Sequence, residues 1–104
     1  MIDRRALVLI PFGGKDRLAV VLDGGVDVVV VIAVTGTERA LDRVHVDVGS
    51  RAAIALQLSK PTFFYASNIA AVPAALCRVL PRKCPPELHE QLLALRARAS
   101  LAKR

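Results

Sequence analysis

The chain has no tryptophan and few aromatic residues of any kind: three Phe and one Tyr. Its core therefore has to be filled by Val, Leu, Ile and Ala, which dominate a hydrophobic content of 54%. That apolar fraction excludes intrinsic disorder, because a disordered chain lacks the apolar surface to offset its ordering entropy. Cysteine is scarce as well. Cys77 and Cys84 do not form a CxxC pair, and no further ligands complete a zinc site, so both read as small apolar filler or tolerated surface thiols. Long apolar runs are missing. Residues 26–34 are the longest, and Asp27 interrupts those nine positions, whereas a membrane span needs about 20 residues. The apolar stretch behind Arg4 and Arg5 is only residues 6–10, too short for a secretion signal. A cytoplasmic location is expected. Acidic residues are the minority charge, nine against 15 basic, for a net +6. This balance favours nucleic acid, an acidic protein or an anionic surface as partner, although it also suits plain solubility.

A chain of 104 residues fits a single domain with one core. Residues 5–12 form an apolar, β-branched run closed by Pro11 and Phe12, followed by a glycine turn at 13–16. Residues 17–22 resume the strand pattern, and Asp23-Gly24-Gly25 is a second turn. Six valines and an isoleucine in residues 26–34 predict a strand buried on both faces. Strict alternation predicts a half-exposed strand at 44–48, and β-branched and aromatic residues another at 62–66. Residues 52–58 are open between strand and helix. Pro73 argues against a helix through 68–80, which reads instead as a turn and a short strand near 76–80. Pro86 suits the first turn of a helix over about 86–103, where Leu88, Leu92, Leu95, Ala99 and Ala102 make one apolar stripe. Glu87 and Glu90 near its start, and Arg96, Arg98, Lys103 and Arg104 towards its end, complement the helix dipole. The fold class is mainly β (α+β).

The order of elements, with several local strings, resembles the MazF/PemK toxins of bacterial toxin–antitoxin systems. The strings are the strand ending in Pro11-Phe12, then Arg17-Leu18-Ala19-Val20-Val21-Leu22, residues 27–35, Lys60-Pro61-Thr62 with Ile69-Ala70-Ala71-Val72, and Pro86-Glu87-Leu88. The resemblance implies an SH3-like small barrel over about residues 4–80 with a C-terminal amphipathic helix. It also implies endoribonuclease activity on single-stranded RNA without metal or other cofactor, a homodimer, and neutralisation by a cognate antitoxin. In that chemistry a ribose 2′-oxygen attacks the adjacent phosphorus and negative charge builds on the phosphoryl oxygens. A guanidinium stabilises it through two parallel hydrogen bonds and a hydroxyl holds one oxygen. Arg17 falls on the family's catalytic Arg and Thr35 on its phosphate-contacting hydroxyl. Lys15 adds positive potential beside the phosphate path, and Tyr65 is placed to hydrogen-bond or stack on a base.

Several positions depart from the family pattern. Leu18 replaces the usual Pro, and the turn at 13–16 is shorter than the family's loop. Tyr65 and Ser67 stand where many relatives carry a basic and an acidic residue, and Pro85 where a capping Ser is common. Serine does not replace a carboxylate as proton acceptor near neutral pH. Two alternatives follow: a gyrase-binding toxin like CcdB, which Ile69-Ala70-Ala71-Val72-Pro73 resembles but whose C-terminal Trp is missing here, and a catalytically degenerate relative that only binds RNA or antitoxin.

The remaining candidates have plainer readings. Gly13-Gly14-Lys15 lacks the spacing of a nucleotide-binding loop. His45 reads as a surface or hydrogen-bonded residue and His89 as a solvated one, with no third ligand for a metal. Arg78, Arg82 and Lys83 suit RNA, an acidic segment or solvent. Phe63 and Tyr65 fall on one strand face and Phe64 on the other.

Overall fold

The computed structural model describes residues 1–102; the expected helical position 103 and the cations Lys103 and Arg104 lie outside them. Strands β1 (Ala6–Phe12) and β2 (Lys15–Asp23) form a hairpin. Its two-residue turn, Gly13-Gly14, has φ of 62° and 81°. Left-handed geometry at both central positions matches the right-handed strand twist, and glycine adopts it without a Cβ clash. The expected first residue of β1, Arg5, instead sits at φ 72° in a turn, where its Nε donates to the Cys84 carbonyl at 2.8 Å. Strand β3 (Val28–Ala33) follows, then β4 (Val44–Val46), helix α1 (Arg51–Leu56), β5 (Thr62–Phe64), β6 (Ile69–Pro73), β7 (Arg78–Lys83) and helix α2 (Pro86–Ala102).

Five strands make one antiparallel sheet in the order β6-β3-β2-β1-β7, and β4-β5 make a second. The two edge strands β6 and β7 are not bonded to each other, so the large sheet is open, not a closed barrel. The mainly-β class with a C-terminal helix holds. The ambiguity over residues 52–58 resolves in favour of helix, as α1 spans Arg51–Leu56: Ser50 Oγ accepts from Ala53 N at 3.1 Å, and Gln57 closes the helix in a left-handed conformation. Residues 68–80 contain two strands, not one. Pro73 ends β6, and a 3₁₀ turn at Ala74–Leu76 leads into β7. The alanines of β6 conceal it, because it is an edge strand held by pairing with β3 rather than by bulky side chains.

One sheet face carries Leu7, Val20, Leu22 and Ile32, packed against Phe64, Val44, Val46 and the stripe Leu88, Leu92 and Leu95 of α2. The other carries Val8, Ile10, Ala19, Val21, Val29 and Val31, covered by Ile2, Val72, Ala74 and Cys77. Thus β3 is buried on both faces, as its valines predict, while Val26 and Val28 at its start are exposed. The leucine stripe of α2 is consumed by the chain's own core. Cys84 is fully buried, and burial pushes its thiol up to about 12, which suits filler and not a nucleophile.

His89 corrects the expectation of a solvated ring. It is 4% exposed, and its Nε2 lies 3.3 Å from the Val21 carbonyl. Burial drives its pKa down, and Arg4 and Arg5 add to that, against the Val21 carbonyl and Asp23. The neutral ring donates its Nε2 proton to the carbonyl, next to the irregularity in register between Val21 and Asp23.

Candidate nucleic-acid cleft

Strand register brings the two principal candidates together. Ala19 pairs with Ala33, and Val34 N donates to the Leu18 carbonyl at 3.0 Å. Continued two residues, this register sets Arg17 opposite Thr35. Thr35 then exchanges both backbone bonds with Phe63, at 3.1 and 2.8 Å, and Phe63 pairs with His45. Directly opposed residues of antiparallel strands share a face. Arg17, Thr35, Phe63 and His45 therefore form one row across four strands, stepping about 4.8 Å each time.

Arg17 and Thr35 line a cleft of about 630 Å³ together with Lys15, Lys60, Gly36 and Thr37. The glycine turn positions Lys15, whose partner across the hairpin is Phe12; Arg17 lies two residues on, on the same face. Its guanidinium carbon sits 5.4 Å from the centroid of the Phe12 ring, a cation–π distance. Its Nη1 makes only a long contact, 3.5 Å, with the Val34 carbonyl. Among the described residues no carboxylate lies within ion-pair distance of Arg17. The guanidinium thus keeps most of its donors available. Thr35 Oγ1 accepts from Thr37 N at 3.2 Å, which fixes the oxygen and leaves the hydroxyl proton free to donate. Three cations, Lys15, Arg17 and Lys60, face this cleft against a single carboxylate, Asp16. The arrangement suits a phosphodiester: charge-assisted donors from one side and a hydroxyl from the next strand.

Tyr65 is not in the cleft, which corrects its placement as a base contact. Its side chain is 1% exposed, and its hydroxyl donates to the Thr37 carbonyl at 3.1 Å and accepts from Arg39 N at 2.6 Å. Both hydrogen-bonding functions of the phenol are spent on pinning the segment after Thr35. Tyr65 acts on the cleft indirectly, by fixing Thr37, which in turn fixes Thr35 Oγ1. Ser67 lies elsewhere, beside Arg96 and Ser100.

Lys60 and Thr37 were missed as site residues. Their approach depends on β5 docking beside Thr35, a pairing that no local pattern announces. His45 lies outside this cleft, and its ring stacks on Phe63 with centroids 4.6 Å apart and planes at 15°. Among the described residues no group of three or more His, Cys, Asp or Glu is placed to hold a metal ion. No helix of the described residues is long and apolar enough to cross a membrane. Comparison of the chain with models of known protein families, with curated proteins and with solved structures finds no match in any of the three.

Proposed function

We propose that this cleft binds single-stranded RNA and cleaves it without metal, as a MazF/PemK-like toxin of a toxin–antitoxin pair acting in the cytoplasm. The observation that carries this reading is Arg17 and Thr35 in one cleft, with the guanidinium unpaired by any carboxylate among the described residues. The 2′-oxygen of the bound nucleotide attacks the adjacent phosphorus and the bond from phosphorus to the 5′-oxygen breaks. The products are a 2′,3′-cyclic phosphate and a 5′-hydroxyl. Arg17 stabilises the charge that accumulates on the phosphoryl oxygens, and the Thr35 hydroxyl donates to one of them. Lys15 and Lys60 hold the flanking phosphates. The 2′-oxygen gives up its proton to water and the leaving 5′-oxygen takes one from water.

An SH3-like ancestry of the fold belongs to the same reading. Its support is the bridge between Thr35 and Phe63, which joins the small sheet to the end of β3. So do a homodimer and a cognate antitoxin. Val26, Val28, Leu76 and Val79, all exposed, supply apolar surface for such contacts.

The test is incubation of mixed RNA in EDTA with the protein and with Arg17→Ala. Cleavage by the wild type, abolished in the variant, supports the nuclease. Equal RNA loss in both removes it. One observation favours a second reading, a degenerate module that binds RNA without cutting it. Burial of Tyr65 and displacement of Ser67 leave Asp16 as the single side-chain carboxylate beside the cleft. Saturable binding with intact RNA identifies that case.

A further inference from the structure

The row that aligns Arg17 with Thr35 does not stop at the cleft. It continues through Phe63 to His45, two strand spacings or about 10 Å beyond Thr35. On this face the rings of Tyr65, Phe63 and His45 stack in series, with centroid separations of 6.3 Å and 4.6 Å and interplanar angles of 20° and 15°. The inner two rings are closed off, Phe63 at 5% exposure and Tyr65 at 1%. His45 ends the series with its side chain 39% exposed. It borders a second cleft of about 320 Å³, whose lining includes Arg43, Gln91 and Arg98.

From this geometry we propose that His45 is the stacking platform of a nucleobase subsite, which takes the base of a nucleotide beyond the one held at Arg17 and Thr35. The inference rests on the RNA-binding reading of the first cleft and extends it. A nucleobase is the ligand chemistry that fits. A flat π-face continues a series of near-parallel rings, and single-stranded RNA is recognised largely by such stacking. Gln91 brings both an amide donor and an amide acceptor to the same cleft, the complement of a base edge. A phosphate fits less well. Arg43 already binds Glu38 at 2.6 Å and Arg98 binds Asp42 at 2.8 Å, so both arginines are compensated, and the Asp47 carboxylate lies 3.2 Å from the His45 ring. The arginines thereby serve as walls. Arg43 lies over the Phe63 ring at 5.4 Å, and Asp42 fixes Arg98 through two hydrogen bonds. The subsite selects for stacking strength and base edge, whereas the first cleft selects for phosphate.

The test is a binding titration with 2′-O-methyl oligonucleotides, which lack the attacking hydroxyl and stay intact. A dinucleotide occupies the first cleft alone; a hexanucleotide reaches both. His45→Ala is expected to weaken the hexanucleotide about tenfold and leave the dinucleotide unchanged, while His45→Phe restores hexanucleotide binding. Unchanged hexanucleotide affinity in His45→Ala overturns the subsite and leaves the first cleft standing. Loss in both His45→Ala and His45→Phe, with thermal melting unaltered, also overturns it, because a charge and not a ring face would then be the contact. Wild-type protein that binds neither oligonucleotide defeats the RNA reading itself, and the subsite with it.

Discussion

Single residues in this protein are set by what their neighbours leave unpaired. Arg17 keeps its guanidinium free because the hairpin places it against the Phe12 ring and a long carbonyl contact, not against an acid. On the proposed function Arg17→Lys is not conservative: it keeps a charge but loses the planar fork suited to two phosphoryl oxygens. RNA cleavage is expected to fall at least a hundredfold in Arg17→Lys, as for loss of one transition-state donor, while RNA binding falls only a few-fold. Single-turnover cleavage alongside a binding titration separates the two, and an equal drop in both would deny Arg17 its transition-state role. His89 shows the opposite logic. Its burial lowers its pKa from the ordinary value of 6.5, so the folded state holds the ring neutral. Between that ordinary value and the lowered one, the unfolded chain binds more protons. The stability this ring contributes is present above about pH 6.5 and is lost as the pH falls towards the folded value, at most about 1.4 kcal/mol per pH unit for one proton. Urea melts from about pH 7.5 down to about pH 5 should show a steeper loss in the wild type than in His89→Gln; matching slopes would sink this account.

At the level of elements, sequence pattern and structure agree where a repeat is long and diverge where pairing decides. The valines of β3 and the leucines of α2 announce a two-sided strand and an amphipathic helix because burial demands apolar side chains at fixed periods. Ile69-Ala70-Ala71-Val72-Pro73 announces little, since an edge strand is held by its neighbour's backbone. His89 sits among charged residues in sequence, and only the carbonyl of Val21, 68 positions away, explains its burial. The candidate cleft was half legible. Arg17 near the start of β2 and Thr35 just after β3 come together once those strands pair, whereas the row through Phe63 to His45 requires a small sheet to dock on the end of β3. Two substitutions probe the elements themselves. Gln57 closes α1 at φ 56° and is exposed. Gln57→Gly is expected to stabilise by about 0.5–1 kcal/mol by relieving the left-handed conformation. Leu92 on α2 is fully buried, so Leu92→Ala should cost about 2–5 kcal/mol. Chemical denaturation measures both, and a neutral Leu92→Ala would mean that α2 is not docked on the sheet.

The whole molecule carries six net positive charges, and on the proposed reading its binding of RNA depends on where they lie rather than on their sum. Three cations are spent on acids: Arg43 on Glu38, Arg96 on Asp23, Arg98 on Asp42. Lys15, Arg17 and Lys60 face the cleft. Arg82 and Lys83 lie at the far end of β7, where Lys83 pairs with Ala6, four residues along β1 from the Ile10 that opposes Arg17. Four residues of strand span about 13 Å, beyond the Debye length of about 8 Å at physiological salt. If three cleft cations contact phosphates, the logarithm of the binding constant should fall with the logarithm of salt at a slope of about −2, since each contact to a single strand contributes about −0.7. Lys15→Gln should flatten that slope by about 0.7, and the double substitution Arg82→Gln, Lys83→Gln should leave it unchanged. Fluorescence titrations of a 2′-O-methyl hexanucleotide across a tenfold range of salt read all three slopes. A slope that responds to Arg82 and Lys83 but not to Lys15 would move the RNA path to the outer edge of the sheet, away from the guanidinium to which the proposed chemistry is assigned.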